Sequence, residues 1–394
     1  MPFLPRKIYL ELKKHLRAKQ ITVITGMRRT GKTTLARQLL GEIPSKNKLY
    51  IDLERLDNRE LFSQKNYDNI LKELAARGVS TGSKIYLAID EIQLLPEITS
   101  VLKYLYDSHD IKFIATGSSS YYLKNLFSES LSGRKKIFEL SPLDFGEYLD
   151  FQGIFYLKNE NWKNKKFNPI EYERVRFHYE QYIEYGGFPE VVLAKDAKQK
   201  KDLLADIISS CINIDIKSLS DFRSEKNIYN LIKMLSGRLG TKLDYSKLSR
   251  LAGLSRPTVM SYINFFEKTY LLSRAPVLSK SPDREIVKAR KIYFCDNGIA
   301  GILSDLDSGA KFENAVYNQL RHFGKIRYYS LKSGREIDFI LDGREAFEVK
   351  ETPLEQDGKK LKALAKDAGV GRSRLIGRYD VPDFSDYIWG GDIR

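Results

Sequence analysis

The segment Gly26-Met27-Arg28-Arg29-Thr30-Gly31-Lys32-Thr33 constrains this chain more than any other, because it follows the apolar run 21–25 and opens a helical pattern at 33–40. A G-x-x-x-x-G-K-[ST] sequence between a strand and a helix wraps backbone N–H groups round phosphates. Glycines permit the tight curl, and the helix N-terminus favours negative charge. The spacing predicts that Gly26, Met27, Arg28, Arg29, Thr30, Gly31, Lys32, Thr33 and Thr34 bind the phosphates of a nucleoside triphosphate, taken as ATP with Mg²⁺. Lys32 should reach the β- and γ-phosphates, and Thr33 should ligate the metal.

Around this loop, apolar strand patterns at 21–25, 48–53, 84–90 and 111–117 alternate with helical ones at 33–40, 67–77 and 98–107. Such alternation predicts an α/β fold, a parallel sheet covered on both faces. Asp90 and Glu91 end the third strand, at the carboxyl edge where open α/β sheets bind ligands. Asp90 is expected to hold Mg²⁺ through water, and Glu91 to act as the general base that orients the attacking water. The next strand ends in Gly117-Ser118-Ser119-Ser120, hydroxyls suited either to γ-phosphate sensing or to helix N-capping. Arg134, after Leu131-Ser132-Gly133, reads either as an arginine finger for a neighbouring subunit or as a solvated charge in the run Arg134-Lys135-Lys136.

A length of 394 residues predicts several domains rather than one core. No apolar run approaches the ~20 residues of a membrane span, and the charged N-terminus does not read as a secretory signal, so a soluble, cytoplasmic protein is expected. Cys211 and Cys295 lie in apolar segments and read as buried free thiols. With 66 Lys and Arg against 51 Asp and Glu, the net charge of +15 would attract polyanions such as nucleic acid, or simply coat a basic surface. The polar stretch 158–168 reads as an exposed loop.

Further along, 243–272 has helix-turn-helix spacing, with a glycine turn at Gly253, an N-cap at Ser255 and a second helix from Arg256-Pro257. Leu248, Leu251, Leu254, Val259, Ile263 and Phe266 supply its apolar side, while Arg256, Thr258, Ser261 and Asn264 are placed to face a groove or phosphates. Strands at 270–277 and 291–294 would form a wing.

In the last section, Glu313 falls on a helix, Asp338 on the strand EIDFIL, and Glu348 with Lys350 on the strand AFEVKE. Two or three carboxylates can hold Mg²⁺, which acidifies a water that the lysine helps position against a phosphodiester. Glu348 and Lys350 share a strand face, but a two-residue turn at Asp342-Gly343 would put Asp338 on the other one. An assembled site therefore requires an odd loop or a bulge there.

IDEIQLLP (89–96), ATGSSS (115–120), SGRKKIFELSPLDFGEYL (132–149), YIEYGGFPEVV (182–192) and EIDF…EVKE, taken with the phosphate loop, resemble an archaeal and bacterial family of AAA-type ATPases with a C-terminal domain of unknown function. The order Glu…Asp…Glu-x-Lys resembles the restriction-endonuclease-like nuclease superfamily. The resemblance implies an α/β P-loop AAA-type ATPase core with a parallel sheet at 1–150 and a helical lid or linker at 151–235. It further implies a winged-helix domain at 236–300 and a nuclease-like α/β domain at 301–394. It makes Ser118 or Ser119 the sensor and sets Arg134 in a glycine–arginine element. Lys32, Asp90 and Glu91 become catalytic, as do Glu313, Asp338, Glu348 and Lys350, with Thr33, Asp90, Asp338 and Glu348 as metal ligands. ATP hydrolysis coupled to DNA, branched or damaged, by a homo-oligomer is the expected function, and cleavage of DNA a further one. The other reading is a nucleotide-dependent switch whose C-terminal half docks a protein.

Overall fold

Ile21–Thr25 (β1) is buried at every position, as a strand must be when neighbours flank it and helices cover both faces. It pairs in parallel with Ile111–Gly117 (β4) on one side and Lys135–Glu139 (β5) on the other. Lys48–Asp52 (β2) and Ile85–Asp90 (β3) complete an all-parallel sheet of order β2-β3-β4-β1-β5. Tyr9–His15 (α1), Lys32–Gly41 (α2), Leu56–Phe62 (α3), Tyr67–Ala76 (α4) and Ile98–Ser108 (α5) accompany it. The short helix α3 was not legible in the alternation. Two apolar layers result, one around Leu87, Phe113 and Leu102, the other around Leu35, Leu39 and Ile114.

In this computed structural model the described residues are 3–118, 131–158, 161–216, 225–279, 281, 283, 285 and 288–394. The chain divides into two units, Met1–Ser141 with Lys268–Tyr270, and Pro142–Glu267 with Leu271–Arg394.

The second unit opens with the helices Phe145–Gln152 (α6), Pro169–Tyr185 (α7), Pro189–Leu193 (α8), Ala197–Ser210 (α9) and Glu225–Ser236 (α10). Tyr245–Ala252 (α11) and Arg256–Lys268 (α12) follow, with Gly253 between them in the left-handed region at φ 62° and the Ser255 hydroxyl accepting from the Thr258 N–H at 3.2 Å. The antiparallel pair Leu272–Ala275 (β6) and Lys291–Phe294 (β7) comes next. After Asn297–Leu303 (α13) and Ser308–Leu320 (α14), the strands Ile326–Ser330 (β8), Glu336–Leu341 (β9) and Glu345–Lys350 (β10) run antiparallel in turn. Glu355–Ala368 (α15) then carries the chain over to Arg372–Gly377 (β11) and Ile388–Trp389 (β12), both parallel to their neighbours.

One core joins Phe145, Tyr179, Tyr293, Phe339 and Trp389, so the early helices and the last sheet bury the same apolar surface. Trp162 belongs to it, with its ring 5.1 Å from Phe323 and 5.7 Å from Phe347. The stretch 158–168 is therefore anchored inward by its one tryptophan rather than wholly exposed. Gly186 and Gly187 are joints: a Cβ on Gly187 would lie 2.2 Å from the Leu143 carbonyl oxygen, and the Gly187 N–H donates to the buried Asp296 carboxylate at 2.7 Å. Leu251, expected on the apolar side of its helix, is 53% exposed. Both cysteines are buried and free, and no helix among the described residues is long and apolar enough to cross a membrane.

At the amino edge of the first sheet, Lys112 is 1% exposed. Its ammonium donates to the carbonyls of His15 at 3.1 Å and Ala18 at 2.9 Å, and to that of Gln20, closing the end of α1 onto β1. Burial, with Lys84 adding to it, lowers its pKa to about 7. Lys112→Met would leave buried carbonyls without a donor, at a cost of about 1–3 kcal/mol for each one that water does not reach. Scanning calorimetry should show the nucleotide-binding unit melting several degrees lower.

Candidate functional site

The phosphate loop leaves β1 at Gly26, whose φ of 151° and neighbourhood admit only glycine: a Cβ would sit 2.1 Å from the Leu140 carbonyl oxygen. Arg29 and Gly31 adopt left-handed φ values of 62° and 94°, and Gly31 is the N-cap of α2. The Lys32 ammonium is folded inward, donating to the Met27 carbonyl at 2.9 Å, and the Thr30 hydroxyl donates to the same oxygen at 2.9 Å. Arg6, which the sequence did not single out, braces the loop from outside by donating to the Thr30 and Ser141 carbonyls at 3.0 and 2.8 Å. Met27 is buried, Arg28 and Thr33 are half-buried, and Thr34 is exposed.

Asp90 and Glu91 end β3 on the same carboxyl edge. Tyr50 donates its phenol to Asp90 Oδ2 at 2.6 Å, and Thr116 donates its hydroxyl to Oδ1. Glu91 is a non-glycine residue in the left-handed region, with φ 55°. Such backbone costs free energy unless the surroundings hold it, and here its N–H donates to Thr116 Oγ1 at 3.2 Å. The Gln93 amide donates to the Glu91 carboxylate and, at 2.9 Å, to Ser118 Oγ. The structure thus brings Asp90, Glu91 and Ser118 together through Tyr50, Thr116 and Gln93, none of them marked as site residues by the sequence. Ser119 and Ser120 lie outside the described residues.

Arg134 stands elsewhere. It precedes β5, whose Lys135 pairs with Ile21 at the start of β1, and so lies at the amino edge, opposite the phosphate loop. Its guanidinium forms a two-pronged pair with Asp107, at 2.8 and 3.0 Å. Within one chain it is not brought to the Lys32 site.

In the second unit the turn after β9 has three residues, since Leu341 pairs with Glu345. Asp342 and Gly343 take left-handed φ values of 50° and 71° within it. This is the odd loop that parity required: continued by one pair, the register sets Asp338 opposite Glu348, on one face. Val349 N–H donates to Asp338 Oδ2 at 3.0 Å, and Lys350 pairs with Glu348 at 2.8 Å. Glu313 comes from α14, accepting the Tyr293 phenol at 2.7 Å. Two residues absent from the sequence reading enter here, Glu336 and Lys291. The Lys291 ammonium lies 2.9 Å from Glu336, 3.4 Å from Asp338 and 3.7 Å from Glu313. Burial alone would lower the Lys291 pKa, but Glu313, Asp338 and Glu336 outweigh it and hold the amine charged. Carboxylate oxygens are the donors that Mg²⁺ takes. As they stand, however, no group of three or more His, Cys, Asp or Glu side chains among the described residues is arranged to hold a metal ion.

A parallel sheet with a Gly-Lys-Thr phosphate loop on β1 and an Asp-Glu pair at the end of β3 defines a P-loop nucleotide-binding fold. Residues 18–149 match the family described as an AAA domain, and residues 176–310 match a domain of unknown function, DUF8612. The chain belongs to a family of AAA-type ATPases with a C-terminal domain of unknown function and relatives in archaea and bacteria. An uncharacterized protein of Methanocaldococcus jannaschii is 29% identical over 90% of this chain and 81% of its own length. One from Haemophilus influenzae is 27% identical over 86% of this chain and 85% of its own. Among solved structures, the Aeropyrum pernix ORC1 protein in complex with DNA covers 77% of this chain and 94% of its own at 12% identity and TM-score 0.34. The ADP form of the ORC2 protein from the same organism covers 70% and 88%, at 12% identity and TM-score 0.39.

Burial, then the charge of Asp338, raises Glu313 and Glu348 from 4.5 to about 7. Raised carboxylates stabilise the fold below the unfolded value and lose that contribution as pH climbs through the folded one. Glu348→Gln should therefore gain stability relative to the natural chain as pH rises from about 4.5 to 7. Melting temperatures of both proteins across that range check this.

Proposed function

We propose that this protein binds and hydrolyses ATP with Mg²⁺ and couples that cycle to DNA. The observation that carries the hydrolytic reading is the tethering of Glu91, whose carboxylate is buried and held by Gln93 against Ser118 on the edge that bears the phosphate loop. In this reading Gly26 to Thr34 cradle the phosphates through backbone N–H groups, and Lys32 exchanges the Met27 carbonyl for the β- and γ-oxygens. Thr33 and Asp90 would hold Mg²⁺, which neutralises charge developing on the phosphates. The Tyr50 and Thr116 hydrogen bonds aim the Asp90 oxygens for that task. Glu91 orients the attacking water and takes its proton, while Ser118 reports the γ-phosphate to it through Gln93. Arg134 would act on a neighbouring subunit of a homo-oligomer, on release from Asp107.

Three features support DNA as the partner. The net charge is +15. Arg256 and Ser261 stand exposed on α12, the second helix of the helix-turn-helix segment. A groove of about 800 Å³ in the second unit is lined by Lys163, Lys359, Lys362, Lys366, Arg372 and Arg374. Glu313, Asp338, Glu348 and Lys350 would form a nuclease-like site there. The protein-docking reading is favoured by a different observation: Leu251 and Met260 are 53% and 40% exposed on the same two helices.

Lys32→Ala should abolish ATP binding, measured with a fluorescent analogue. Glu91→Gln should keep binding and lose about 10²–10⁴ of the hydrolytic rate. The ATPase rate of the natural chain should rise with fork, junction, single-stranded or duplex DNA, and binding should weaken steeply with salt. Hydrolysis indifferent to every DNA, with no DNA bound, would overturn the DNA reading and leave the docking one.

A further inference from the structure

Lys291 lies outside the segment that carries the Glu…Asp…Glu-x-Lys order, yet it reaches the centre of that cluster. Its place on β7 explains how: Lys291 and Tyr293 alternate along the strand and so point to one side, and Tyr293 holds Glu313 while Lys291 faces Glu336, Asp338 and Glu313. The side chain is 2% exposed, so the ammonium has exchanged its water for carboxylate oxygens. A buried cation persists only with such partners, and buried carboxylates only with such a cation. Glu336 is further tied to Lys242 at 3.0 Å, on the segment that bridges to Lys291. Asp338 spends one oxygen on Lys291 and the other on the Val349 N–H.

We propose that Lys291 is the resident cation of this cluster and that a divalent metal enters it only by displacing the ammonium. The proposal rests on the nuclease-like reading of Glu313, Asp338 and Glu348. It accounts for two facts together: the carboxylates converge, and yet they make no metal cage in their present arrangement. With Lys291 withdrawn, three carboxylates of like charge are left close together, which is the condition under which a hard cation binds. Displacement also frees a buried, permanently charged amine beside the metal, where a phosphodiester would lie. The site is thereby silent at low metal concentration, and the β6–β7 hairpin that carries Lys291 becomes the element whose movement opens it.

The test is Mn²⁺ binding to the full-length, nucleotide-free chain, followed by electron paramagnetic resonance of the free ion and by the Mn²⁺-induced rise in melting temperature. Lys291→Met should bind Mn²⁺ at least tenfold tighter than the natural chain and show the larger thermal rise. Glu336→Gln, which loosens the closest tether while leaving Lys291 in place, should fall between them and covers the case in which Lys291→Met does not fold. Adding Asp338→Asn to Lys291→Met should remove the gain. If the natural chain and Lys291→Met bind equally, and Asp338→Asn abolishes both, the displacement proposal fails while the nuclease-like reading stands. If no variant binds Mn²⁺ in an Asp338-dependent way, both fail.

Discussion

A parallel sheet covered on both faces has no room for charge except at its two edges, and that constraint organises the nucleotide-binding unit. Charged groups there are buried only with partners. At the carboxyl edge Asp90 takes Tyr50 and Thr116, and Glu91 takes Gln93. At the amino edge Lys112 takes backbone carbonyls, and Arg134 takes Asp107. The polar chemistry needed for phosphoryl transfer is thus gathered on one edge because the interior excludes it, while the opposite edge is closed by contacts that hold α1 and α5 to the strands.

The second unit meets the same cost differently. Its aromatic core is shared between early helices and the last sheet, so the segments 151–235 and 301–394 bury one another's apolar surface. Motifs that looked functional serve this joint: Gly186 and Gly187 are glycines because Asp296 and the Leu143 carbonyl occupy the space of a side chain. The charged cluster at Asp338 is tolerated because an ammonium from β7 balances it.

The legible parts were those with local causes. Alternation of apolar runs located β1 to β4, and the Gly26–Thr33 spacing located the loop between β1 and α2, because strand, turn and helix signals are all short-range. Strand parity also predicted an odd turn at Asp342-Gly343, since side chains alternate whatever the tertiary context. Gln93, Tyr50 and Thr116 were not legible, because their roles come from neighbours 2, 40 and 26 residues away respectively, and ordinary polar residues carry no mark of their partners. Trp162 was hidden for the same reason, as a single apolar anchor inside a polar run has no period to reveal it.

The sequence by itself determined that this chain would hold a phosphate loop on a parallel sheet, with an acidic pair on the strand that follows, because glycine geometry and apolar periodicity are properties of neighbouring residues. It also determined that Glu348 and Lys350 would share a face. Only the tertiary structure decided that Gln93 would link Glu91 to Ser118, that Arg134 would lie opposite the loop bound to Asp107, and that Lys291 would sit among Glu313, Glu336 and Asp338. The physical reason is that compensation of buried charge is a matter of distance in space, and residues up to 47 positions apart meet only when the sheet and its hairpin have closed.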